Sequence, residues 1–86
     1  MKKIIGIIHP FDAYHTFYVY EDGNKLDITT TTIDKIPDLI FALAETYGVS
    51  QVDLSGAQYF TKGIIKQIQE KEFTKYNRNE LIIKCI

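Results

Sequence analysis

Near residue 32 the apolar residues of this chain change their repeat, and that change constrains the fold more than any other feature. Before it, the patterns are those of strands. Residues 3–8 read KIIGII, a short aliphatic run that suits a strand covered on both faces. Pro10 is expected to stop it. Residues 16–20 read TFYVY, dense in β-formers. The turn Glu21-Asp22-Gly23-Asn24 follows, with Gly23 able to take a positive φ. Residues 26–31 then alternate, with Leu26, Ile28 and Thr30 on one face and Asp27, Thr29 and Thr31 on the other. Threonine is β-branched, so the four threonines at 29–32 read as strand, not spacer. The two segments predict a hairpin.

After it, the spacing becomes helical. Ile36, Leu39, Ile40, Leu43 and Tyr47 recur as one face of a helix. Asp34 is the expected N-cap, Pro37 fits the first turn and Gly48 the C-terminus. A short strand is expected within residues 49–54. The break Ser55-Gly56 follows, then a second amphipathic helix through Phe60, Ile64, Ile65, Ile68 and Phe73. Residues 81–86, LIIKCI, read as a last strand. The order β-β-β-α-β-α-β predicts an α/β domain with a mixed five-stranded sheet and two helices packed on it. The length of 86 residues and the lack of any linker point to one domain over residues 1–86.

Composition removes several classes of function. Hydrophobic residues make up 45% and charged residues 24%, an ordinary globular balance. The net charge of −1 disfavours non-specific nucleic-acid binding, which normally needs a strongly basic surface. Cys85 stands alone, so neither an internal disulfide nor a cysteine-rich metal site is expected. The run from Ile4 to Ile8 is too short for a secretory signal. No stretch reaches the roughly 20 apolar residues of a membrane span. The expectation is a cytoplasmic protein without membrane contact.

The segment from Leu54 to Ile64, LSGAQYFTKGI, resembles the point in the ribonuclease H family where the fourth strand enters the second helix. That family has a catalytic aspartate there, followed by Ser-Gln-Tyr and then Gly-Ile. This chain keeps Gln58-Tyr59 and Gly63-Ile64, but its aspartate position falls on Gly56. His9 stands where the first catalytic aspartate of the family ends the first strand. Thr31-Thr32 followed by Asp38-Leu39-Ile40 resembles the family's threonine pair and helix acid. The resemblance implies a ribonuclease H-like core with the first and fourth strands as parallel neighbours. The family's last helix, with its further carboxylate, has no counterpart among these residues. A two-metal hydrolase needs carboxylates bridging ions about 4 Å apart, and magnesium prefers oxygen ligands. Glycine and histidine at the acid positions therefore imply a degenerate site with no resident cofactor. A minimal nuclease or resolvase using Asp12, Asp38 and Asp53 is the enzymatic alternative. The opening residues 3–12, residues 18–25 and Asp53-Leu54-Ser55-Gly56 also resemble short proteins of bacteriophages and mobile elements, which implies an accessory protein.

In such sheets, ligands bind beyond the carboxyl ends of the strands. Two polar loops are expected there, His9-Pro10-Phe11-Asp12 and Ser55-Gly56-Ala57-Gln58. A helix start offers free N–H groups to an anion, and Lys62 lies early in the second helix. The expected ligand-binding residues are thus His9, Phe11, Asp12, Ser55, Gly56, Gln58 and Lys62, with a nucleotide or similar small anion as ligand. The plainer alternative has Ser55 capping the helix and Gly56 making the turn. His9, Asp12 and Ser55 lack the spacing of an acyl-transfer site, and His9, Asp12 and His15 lack that of a metal site. Asp53 pairs with a neighbour, faces solvent or points toward His9.

Tyr14, Tyr18 and Tyr20 form a candidate interface, since tyrosine offers a large contact area at low entropic cost. The alternative is a sheet face covered by its own helices. The last strand is a candidate edge for a homodimer. The combined expectation is a non-catalytic binding protein for a host protein or a small anionic ligand, with a ligand-free homo-oligomeric module as a further alternative.

Overall fold

The computed structural model describes residues 2–9, 11–55, 61–71 and 82–85. It is an α/β structure with a five-stranded mixed sheet and two helices. Strands β1 (Lys2–Ile7), β2 (His15–Glu21) and β3 (Asn24–Thr31) come first. A short 3-10 turn, Ile33–Lys35, leads into helix α1 (Ile36–Tyr47). Strand β4 (Gln51–Ser55), helix α2 (Thr61–Gln69) and strand β5 (Ile82–Cys85) complete the order. In space the strands lie β3-β2-β1-β4-β5. The β1–β2 and β2–β3 pairs are antiparallel, and β1–β4 and β4–β5 are parallel.

Local chemistry explains the joints. The β2–β3 hairpin turns through Asp22 and Gly23, both at positive φ (51° and 85°). Two successive positive φ values match the right-handed twist of the flanking strands. The register shifts between Val19 and Tyr20, so that Leu26 is the extra residue of a bulge. Gly48 ends α1 in the left-handed conformation (φ 72°), and its N–H donates to the Ala44 carbonyl at 2.9 Å. Asp34 is not the cap of α1. It lies in the 3-10 turn, where its Oδ1 accepts the Thr32 hydroxyl at 2.6 Å, and Lys35 holds the N-cap position.

Alternation divides the sheet into two unlike faces. One carries Ile4, Ile8, Phe17, Val19, Val52 and Leu54, all buried under Ile36, Ile40, Leu43 and Ala44 of α1 and Ile64 and Ile68 of α2. Gly6 belongs to this face, and a β-carbon there would lie 2.4 Å from Cε1 of Phe17. The other face carries no described helix. This corrects one expectation: the KIIGII strand is fully covered on one face only, with Lys3, Ile5 and Ile7 half-buried on the other. Phe60, Phe73, Leu81 and Ile86, expected in the second helix and last strand, lie outside the described residues.

Candidate binding surface

The face that carries no helix among the described residues, here the helix-free face, assembles from residues far apart in sequence. Register sets Ile5 beside Tyr18 and Tyr18 beside Ile28. Lys3 stands beside Tyr20 and Gln51, and Ile7 beside Thr16 and Ser55. Ile28 is 53% exposed, and Ile5, Ile7, Tyr18 and Tyr20 are half-buried. The Tyr18 and Tyr20 rings sit 6.0 Å apart, tilted by 37°. Lys25 Nζ lies 5.8 Å from the centre of the Tyr18 ring, a cation–π approach that holds the ring's outer face.

Polar groups rim this apolar stripe. Asp53 is nearly buried, and its Oδ1 accepts the Gln51 side-chain N–H at 2.9 Å, with Lys3 Nζ 3.9 Å from Oδ2. Gln51 and Lys3, which share its face of the sheet, thus hold its carboxylate. Lys3, Ile5, Tyr20, Asp22, Gly23 and Gln51 line an open depression of about 440 Å³ where β1 and β4 begin. That volume falls in the range of small-ligand clefts, and its walls are mostly apolar.

The strand-end loops lie at the opposite end of the sheet. The Ile8 N–H donates to the Ser55 carbonyl at 2.8 Å, so the His9 loop and Ser55 are brought together as the parallel pairing requires. Phe11 is 100% exposed and Tyr14 is 63% exposed on the loop between β1 and β2. The Asp12 N–H donates to the His9 carbonyl at 3.2 Å. Gly56 and Gln58 lie outside the described residues, as does the Lys62 side chain. Tyr14 precedes β2, at the end of the sheet away from the depression.

The three candidate acids do not converge. Asp38 projects from the first turn of α1 and pairs with Lys71 beyond the end of α2. Asp53 is on the other side of the sheet, and Asp12 is exposed in the loop after β1. Among the described residues, no group of three histidine, cysteine or acidic side chains is placed to hold a metal ion. Nor is any described helix long and apolar enough to cross a membrane.

Sequence reasoning singled out Tyr18 and Tyr20 but not Lys3, Ile5, Ile7, Lys25, Gln51 and Ile28, which share their face. The odd-numbered positions of the first strand carried the signal. Without the pairing register, that strand had no side to assign. Comparison with known protein families, curated proteins and solved structures finds no match to this chain.

Proposed function

We propose that this chain is a non-catalytic binding domain, built on a ribonuclease H-like core, that docks a protein partner on the helix-free face of its sheet. The contiguous stripe of Ile5, Ile7, Tyr18, Tyr20 and Ile28 carries the reading. Its apolar, aromatic centre and its rim of Lys3, Lys25, Gln51 and Asp53 have the composition of a protein interface: tyrosine at the middle, charge at the margin. A monomer gains nothing from displaying such a stripe to water. The element order and the parallel β1–β4 pair support the ribonuclease H-like assignment. The separation of Asp12, Asp38 and Asp53 favours binding over two-metal hydrolysis. The origin in a phage or mobile element rests on the resemblance of residues 3–12, 18–25 and 53–56.

Affinity capture with paired variants tests this reading. Tyr18→Ser/Ile28→Ser removes the centre of the stripe, and Lys66→Ser changes an exposed residue of α2 on the helix side. A partner held by wild type and Lys66→Ser but lost by the double variant supports the face. A partner that the double variant retains overturns it. Thermal stabilisation by a nucleotide, lost in His9→Ala, moves the function to the strand-end loops. Stabilisation by manganese that Asp38→Asn abolishes returns the enzymatic reading. A concentration-dependent mass that the double variant lacks identifies a second copy as the occupant.

A further inference from the structure

The loop joining β1 to β2 hangs on a side chain that the proposed docking does not use. His15 opens β2 on the helix-covered face and is only 3% exposed. Its Nδ1 accepts the backbone N–H of His9 at 3.0 Å. A ring nitrogen accepts only when it carries no proton, so this bond requires a neutral imidazole with its hydrogen on Nε2. The His9 ring lies nearly parallel to the His15 ring, with 6.5 Å between centres and 9° between planes. The His9 carbonyl in turn accepts the Asp12 N–H. Both backbone polar groups of His9 are thereby engaged, one by His15 and one by the loop itself. Phe11 and Tyr14, the exposed aromatics, stand on the segment so held.

We propose that His15 is an acid-released latch: neutral, it pins His9 and the Phe11 loop; protonated, it drops the His9 N–H and frees the loop while the sheet stays folded. Protonation converts Nδ1 from acceptor to donor, so it meets the His9 N–H head-on. It also places a charge in a buried position, which costs free energy unless the charge is paired. Among the described residues, the titratable groups acting on the ring are His9, which opposes a second positive charge, and Asp12, which favours one. Thr31, in register on β3, brings no charge, and Asp34 is held by Thr32. Burial first, then His9, keeps the His15 pKa below its usual value, against the smaller pull of Asp12. The latch is thus closed at neutral pH and opens only in acid.

The experiment is amide hydrogen exchange and ¹H–¹⁵N spectroscopy on the full chain from about pH 7.5 to about pH 5, where imidazoles titrate. After correction for intrinsic exchange, His9 N–H protection is expected to fall about tenfold, the scale of one hydrogen bond. The Phe17 and Val19 amides keep theirs. His15→Asn supplies a non-titrating acceptor near the place of Nδ1, so the His9 step disappears. His9→Asn keeps the backbone donor and removes the second ring, so the step persists. The wild-type imidazole ¹⁵N shifts supply a readout that needs no variant, with the hydrogen on Nε2 at about pH 7.5. A hydrogen on Nδ1, a step surviving in His15→Asn, or simultaneous loss of His9 and core protection overturns the proposal.

Discussion

The two faces of the sheet use the same strands to opposite ends. On the covered face, Ile4, Phe17, Val19, Val52 and Leu54 are fully buried, and packing is tight enough that only glycine fits at position 6. On the helix-free face, Ile5, Ile7, Tyr18 and Tyr20 shield one another partly, and Ile28 stands half in water. Neighbouring positions on one strand, such as the chemically identical Ile4 and Ile5, thus differ in energetic role. Burial of apolar area holds the first set in place. The second set contributes less to folding, which leaves it available for recognition.

Substitutions that separate stability from recognition sharpen this contrast. The largest effect is expected from Phe17→Ala, which empties a fully buried ring site: about 3–5 kcal/mol lost in denaturant unfolding. A loss near zero would mean that the covered face is not the core. Gly6→Ala adds one methyl between Phe17 and Leu54 and is expected to cost about 1–3 kcal/mol. The same substitution at Gly63, an exposed helical position where a β-carbon meets nothing within 4 Å, is expected to stabilise by about 0.5–1 kcal/mol. Opposite signs at the two glycines would confirm that crowding, not backbone freedom, governs Gly6.

Acid supplies a gentler probe. His15 has a pKa below 6.5 in the folded chain, chiefly from burial. The unfolded chain therefore takes up more protons between the two values. The stability linked to His15 is full above 6.5 and falls as pH drops through that value toward the folded pKa. Thermal melts of wild type and His15→Asn should diverge below that point, and parallel curves would remove the link. Leu26→Ser and Ile28→Ser on the exposed margin of β3 should each stay within about 0.5 kcal/mol of wild type. Ile28→Ser should nevertheless weaken partner capture. Loss of stability there instead would make the stripe part of the core.

Much of this was legible in the sequence because local chemistry governs it. The change of period placed three strands before the first helix. Gly23 and Gly48 marked their turns because those backbones need positive φ. The parallel neighbourhood of the first and fourth strands was implied by the family resemblance, and the structure pairs them, with the chain crossing through α1 from the β3 edge to the side of β1. The His9 loop and Ser55 met for that reason. Asp34 does not cap α1 because the 3-10 turn Ile33–Lys35 intervenes, and its carboxylate accepts the Thr32 hydroxyl within that turn.

The sequence by itself therefore determined the order of elements and the turns that join them. Tertiary structure alone decided which side of KIIGII faces the helices, that Asp53 accepts from Gln51, and that His15 accepts the N–H of His9. It also decided that Asp38 pairs with Lys71 across 33 residues. Period and turn chemistry act over a few residues and leave their mark in the string. The side of a strand, and the partner of a polar group, depend on segments that meet only when the chain closes on itself.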